Sequence, residues 1–286
     1  MKRLMYFLAI LSVLSFACII STTPTPAIVT AAPPTLAMPT ATEPEAVTLP
    51  PMTPEPTAAQ TNVTCNELKL YLDPALASGS SCQTLPEVSG PDIPPFGINP
   101  EYSELSLTGY VLSDRFFSPK IAVYPVQRFS ELFPDVIPTK LAELQALIGG
   151  GPSSANGLPF LPNFNASQEF FAQYKVILFG SGNGIRYFTQ YSQFFDPINN
   201  HEMFYTYQGL TADGKYWISA ILPVSHPILP ADGNNPPGGQ SAEDFANNFP
   251  SYIGDLTTQL NSQDPGSFSP PITMLDALVT SIKIQP

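Results

Sequence analysis

The sequence is short of cations, histidine and cysteine, and each shortage removes a class of function. Only 11 Lys and Arg stand against 23 Asp and Glu, for a net charge of -12. Nucleic acids and anionic lipid headgroups are gripped mainly through clustered Lys and Arg, and no such cluster exists here. Nucleic-acid binding is therefore the first class excluded. The two histidines, His201 and His226, show no HExxH pattern, so metal catalysis or a Ser-His-Asp triad would have to be assembled across the fold. No Gly-x-Ser-x-Gly elbow is present, and no spacing selects two carboxylates for glycoside cleavage. No catalytic residue, metal ligand or cofactor is assigned from the sequence.

Charged residues make up 12% of the chain and hydrophobic ones 43%, which leaves Asn, Gln, Ser, Thr and Tyr to wet the surface. The charge that does exist is unevenly placed. Lys2 and Arg3 precede an uncharged run from Leu4 to Ile20, the arrangement of a secretory signal and short for a membrane span. The run contains Ser15-Phe16-Ala17-Cys18, which resembles the lipobox of bacterial lipoproteins, with Leu14 one place further from the cysteine than the family usually has it. The resemblance implies a signal peptide over 1–17, lipidation of Cys18 and attachment to the extracytoplasmic membrane face. An uncleaved anchor and plain secretion are the alternatives. Loss of Lys2 and Arg3 with the leader would take the net charge to about -14.

Residues 18–63 read as a disordered linker. Between Ser21 and Thr61 stand ten Pro, eleven Thr and eight Ala without an aromatic residue, so the segment cannot bury a core. Proline favours extended polyproline II, and the linker reads as a tether. Asn62-Val63-Thr64 and Asn165-Ala166-Ser167 match the N-glycosylation pattern, which carries little information alone. With Cys18 lipidated, Cys65 and Cys82 are left as a pair in an oxidising compartment, and a bridge between them is predicted.

Residues 64–286 suit one folded domain. Asn66 to Leu72 carries Leu68, Tyr71 and Leu72 at helical spacing. Strands are expected at Leu105 to Leu112 and Ile121 to Val126, then a helix from Thr139 to Ile148 that stops at Gly149-Gly150-Gly151. Four more strands, Gln173 to Phe179, Ile185 to Tyr191, Met203 to Gln208 and Tyr216 to Leu222, are joined by turn signals at Gly182-Asn183-Gly184 and Ala212-Asp213-Gly214. Ser241 with Asp244 resembles a capping box, Pro250 is expected to break or kink the following helix, and Leu275, Leu278, Val279 and Ile282 stripe a last one. The sum is an α+β domain, an antiparallel sheet of about six strands flanked by helices.

The hairpin Tyr205 to Val224, with its Asp213-Gly214-Lys215-Tyr216 turn, and the terminal Leu275 to Lys283 resemble the C-terminal half of PsbP-like domains. The resemblance implies an α/β/α sandwich whose role is to bind or stabilise a partner.

Several segments resemble sites. Gly180-Ser181-Gly182-Asn183-Gly184 follows a strand as a phosphate loop does, but strand composition follows it where a helix would be needed, so it reads as a hairpin turn. Asp232-Gly233-Asn234-Asn235 offers calcium-type oxygens without the closing Glu, and reads as a polar loop. Tyr187 and Tyr191 share one strand face, Tyr205 and Tyr207 one face of the next, with Trp217 nearby. These five either close a core edge or form a shallow aromatic surface for sugar rings or an apolar patch of a partner. The leading expectation is a non-catalytic binding or scaffold domain that meets an envelope polymer or protein. A hydrolase of envelope glycans or peptides using His201 or His226 with carboxylates, and a purely structural envelope protein, are the alternatives.

Overall fold

The computed structural model describes residues 61–152 and 157–285; the leader, Cys18 and the linker up to residue 60 lie outside the described residues. The chain builds β1 (Val63–Cys65), β2 (Leu68–Leu70), β3 (Ala77–Leu85), β4 (Tyr102–Tyr110) and β5 (Lys120–Pro125), followed by α1 (Val126–Leu132) and α2 (Ile137–Ile148). Next come β6 (Ser167–Gln168), β7 (Ala172–Phe179), β8 (Gly182–Thr189), β9 (Tyr191–Ser192), β10 (Phe204–Thr211) and β11 (Tyr216–Pro223). The chain closes with α3 (Ala242–Asn261), α4 (Ile272–Thr280) and β12 (Lys283–Ile284). Seven strands form one antiparallel sheet in the order β3-β4-β5-β11-β10-β8-β7, which is the expected α+β class.

Both sheet faces are covered. On β10, Tyr205 and Tyr207 point to one side, where Leu256 and Leu260 of α3 and Leu275, Leu278 and Val279 of α4 complete the core. On the other side Leu210, Trp217 of β11 and Tyr187 of β8 pack with Phe129 of α1 and Leu144 and Leu147 of α2. Strands β10 and β11 are consequently buried along almost their whole length; β11 reads as a nearly continuous apolar run, while on β10 the buried Thr206, Gln208 and Thr211 are satisfied by internal hydrogen bonds.

The helices begin and end where local chemistry directs. Pro138 occupies the first turn of α2, whose last turn closes through the Gly151 N–H donating to Ala146 O at 2.8 Å. Gly150 sits there at φ +84°, a conformation that glycine adopts without a Cβ clash. Ser241 accepts from Asp244 N at 3.1 Å to cap α3, and Glu243 and Asp244 complement the helix dipole. Pro250 does not end that helix, which runs as one element through Asn261, because Phe245, Phe249, Leu256 and Leu260 are all held in the core.

Three expectations are corrected. Asn66 to Leu72 is not helical: β1 and β2 pair as a hairpin with Asn66 at φ +51°, and Leu68, Leu70 and Leu72 are buried in strict alternation. The turn before β8 lies at Gly180-Ser181, and Gly182 and Gly184 belong to the strand. Strand β3 was not anticipated, since its Ser, Gly and Gln residues carry no apolar alternation; pairing with β4 holds it in place. The expected disulfide joins Cys65 on β1 to Cys82 on β3, with Cα atoms 5.3 Å apart. Among the described residues no helix is long and apolar enough to cross a membrane.

Candidate functional site

Four of the five aromatic residues singled out in the sequence lie inside the protein. Tyr187, Tyr205, Tyr207 and Trp217 are buried because helices cover both sheet faces, so they form no surface. Their polar atoms are used internally. Tyr187 donates to Pro159 O at 3.0 Å, Tyr205 to Asp276 Oδ1 at 3.1 Å, Tyr207 to Ile177 O at 3.0 Å, and Trp217 Nε1 to Gln208 Oε1 at 2.8 Å. The fifth, Tyr191, is only partly buried and opens onto a different feature.

That feature is a cleft of about 430 Å³ where three loops meet at one end of the sheet. Phe116 and Phe117 come from the loop between β4 and β5, Phe164 from the loop after α2, and Tyr191, Phe194 and Glu202 from the passage between β8 and β10. The rings organise one another: Phe117 stacks on Phe164 at 5.3 Å, and Phe164 meets Tyr191 edge-on at 5.0 Å. Phe204 and Phe160 are buried behind the lining rings and support them, their centroids 4.7 Å from Phe117 and 4.9 Å from Tyr191 respectively. Phe116 is 63% exposed and Phe194 74% exposed, an unusual outlay of apolar ring area for a surface loop.

Buried polar groups set the loops. Gln208, fully buried on β10, accepts from Leu161 N at 3.1 Å and donates to Leu161 O at 3.3 Å, while Ser219 also donates to that carbonyl. Lys140 on α2 donates to Phe160 O at 2.8 Å and Asn163 Oδ1 at 2.6 Å, and burial pushes its amine down to about 8. These bonds carry Phe164 to the cleft. On the opposite wall, buried Asn199 accepts from the backbone N–H groups of His201 and Glu202 at 3.0 and 3.1 Å and donates to Glu202 Oε2 at 3.2 Å. Gln193 Nε2 spans to Asn165 O at 2.7 Å, and Phe116 N to His201 O at 2.9 Å, so all three loops are cross-tied. The site is preformed.

Glu202 also faces a neighbouring cavity of about 460 Å³ with Asp196, His201 and Asp232, which places the Asp232-Gly233-Asn234 loop there. Among the described residues no group of three or more His, Cys, Asp and Glu side chains could hold a metal ion. Burial pushes the Tyr191 hydroxyl up, so it stays protonated near neutral pH and offers no phenolate base.

His226 lies elsewhere and only superficially resembles a base beside a nucleophile. Its Nε2 is 2.9 Å from Ser267 Oγ, but that hydroxyl donates its proton to Asp264 O at 2.7 Å, and His226 Nδ1 accepts from Ile228 N at 3.3 Å. The network therefore assigns the proton to Nε2, with the imidazole donating to the serine, the reverse of what nucleophile activation needs. Burial holds this histidine below its ordinary 6.5. The unfolded chain then takes up a proton that the folded one resists, so stability is intact above about pH 6.5 and falls as the pH drops toward the folded value. Thermal melts at about pH 7.5 and about pH 5 should show a smaller acid-induced loss for His226→Gln than for the wild type; equal losses would contradict the assignment.

No protein-family model, curated protein or solved structure matches this chain. The site must therefore be read from its own chemistry. Five aromatic rings and one carboxylate on fixed loops can bind; the groups lining the cleft offer no arranged proton relay. The signal missed in the sequence was a pair of adjacent Phe residues in each of two polar loops, Phe116-Phe117 and Phe194-Phe195.

Proposed function

We propose that this is a non-catalytic binding domain, held on the extracytoplasmic membrane face by lipidated Cys18 and the Pro/Thr-rich tether, and that the aromatic cleft is its recognition surface. The observation that carries the reading is the preformed cleft with Phe116 and Phe194 left largely in water. Covering one such ring contributes roughly 1.5–3 kcal/mol, which gives a ligand or partner a strong incentive to dock there. The resemblance of Tyr205 to Val224 and the C-terminal segment to PsbP-like domains supports a binding role. The acidic surface suits an environment where nucleic acid is not the partner.

Ligand-observed NMR with a panel of small apolar and aromatic fragments tests this. Hits should compete with one another and be lost in Phe194→Ser and Phe116→Ser, while the melting temperature stays within a few degrees because both rings are exposed. An empty panel, or hits untouched by both substitutions, would sink the reading. A second reading has one observation in its favour, the cavity that sets His201 beside Asp196, Glu202 and Asp232, as a hydrolase of envelope glycans or peptides would require. Turnover of such a polymer that disappears in His201→Ala would favour it.

A further inference from the structure

We infer that the aromatic cleft selects an alkylated ammonium group, of the trimethylammonium type, held against the rings with Glu202 as its counter-charge. The inference rests on the cleft being a binding site and adds the chemical class of the ligand. Among the described residues lining the cleft, Glu202 alone is charged, and five of the ten are aromatic. Arg115 precedes Phe116 in the chain but is not among the lining residues. Beyond Glu202 the neighbouring cavity adds Asp196 and Asp232, so the field on that side of the site attracts cations. Aromatic faces carry negative potential and attract a cation placed over them.

Hydrogen bonding decides between a bare ammonium and an alkylated one. Two of the polar groups in the lining are committed to the loops. Ser192 Oγ donates to Asp196 Oδ2 at 2.6 Å and accepts from Phe194 N at 3.1 Å, and Gln193 Nε2 is spent on Asn165 O. A primary ammonium carries three N–H donors, of which Glu202 can take only part and the rings none, so some of its hydration is lost without replacement. A quaternary ammonium has no donor to satisfy, spreads its charge over methyl groups and presents apolar surface to the rings. The cavity is of the size that takes a small molecule, with room for more than the head group.

The test compares choline with 3,3-dimethylbutan-1-ol, in which carbon replaces the charged nitrogen at nearly the same shape. Calorimetry uses the full chain in phosphatidylglycerol nanodiscs, which contain no choline lipid. Choline should bind roughly 5- to 30-fold more tightly than the neutral isostere. Glu202→Gln, which can still accept from Asn199, should remove most of that preference and leave the isostere unchanged; Phe194→Ser should weaken both. Equal or better binding of the isostere overturns the cation inference and leaves the cleft as a plain apolar site. Choline binding that survives both substitutions overturns the location. If neither probe binds but the apolar fragments do, the inference falls alone; if nothing binds, the underlying reading falls with it.

Discussion

Replacing Gly184 by valine should cost the domain a large share of its stability. Gly184 on β8 pairs with Gly209 on β10, and the ring of Tyr207 lies across the two glycines to reach Ile177 O on β7. A Cβ at Gly184 would stand 2.4 Å from Gln208 O, 2.5 Å from Gly209 Cα and 2.8 Å from Tyr207 Cζ. Two of those three neighbours are backbone in the interior of the sheet, and they cannot move without breaking the ladder. The ring cannot swing away either, because Tyr207 is fully buried and its hydroxyl has its partner on the adjoining strand. Overpacking of this kind ordinarily costs about 1–3 kcal/mol, and with backbone as the obstacle about 4 kcal/mol or more is expected for valine, about 2–3 kcal/mol for alanine. That is a large share of the roughly 5–15 kcal/mol a domain has. Gly254→Ala on α3 supplies the control: a Cβ there meets nothing within 4 Å, and the substitution should stabilise by about 0.5–1 kcal/mol. Urea unfolding read by circular dichroism gives all three values. Gly184→Ala unfolding at the wild-type midpoint would refute the steric argument.

Arg186→Met should be nearly as damaging, with a pH signature that steric loss would lack. Arg186 is buried beneath α4, its Nε 3.3 Å from Asp276 Oδ1 and its Nη1 donating to Gln173 O. The Nε contact lacks the alignment of a hydrogen bond and acts mainly through charge. Tyr205 donates to the same Asp276 oxygen, and Lys175 stands further off at 4.0 Å with most of its side chain in solvent. Removing one partner of a buried pair costs about 3–5 kcal/mol, and with the Asp276 side chain 19% exposed the low end of that range is expected. Burial already pushes the Asp276 carboxyl up, and Arg186 is the main influence drawing it back down. Without the arginine the folded carboxyl rises further. A carboxyl raised in the fold favours folding below its unfolded value of about 3.9 and loses that advantage as the pH climbs through the folded value. The deficit of Arg186→Met should therefore be larger at about pH 7 than at about pH 4, and adding Asp276→Asn should recover part of it. A deficit that ignores both pH and the second substitution would mean that lost packing, not a stranded charge, is responsible.

Where the sequence was read correctly, the signal came from residues a few positions apart. Leu141 and Leu144, with the glycines that follow Ile148, define α2; Ser241 and Asp244 cap α3; and Asp213-Gly214 turns β10 into β11. Where it misled, two periods competed. Leu68, Tyr71 and Leu72 fit a helix, while Leu68, Leu70 and Leu72 fit a strand, and pairing with β1 and β12 decided for the strand. Strand β3 had no periodic signal because one edge strand of small polar residues needs only backbone partners and a disulfide. Tyr187, Tyr205 and Tyr207 lie on the expected strands, whereas Tyr191 falls past the end of β8 on β9, outside the seven-stranded sheet; alternation along a strand says which residues share a face and nothing of what covers it.

By itself the sequence indicated the antiparallel α+β class, the glycine stop of α2, the Ser241 cap of α3 and, with Cys18 set aside, the pairing of Cys65 with Cys82, since each depends on short-range spacing or on the parity of a small count. Only the tertiary structure decided that both sheet faces are buried and that Phe116, Phe164, Phe194 and Glu202, scattered over the chain, converge in one cleft. The reason is physical: loop positions are set by buried anchors such as Gln208, Lys140 and Asn199, whose partners lie far away in the chain and leave no periodic trace.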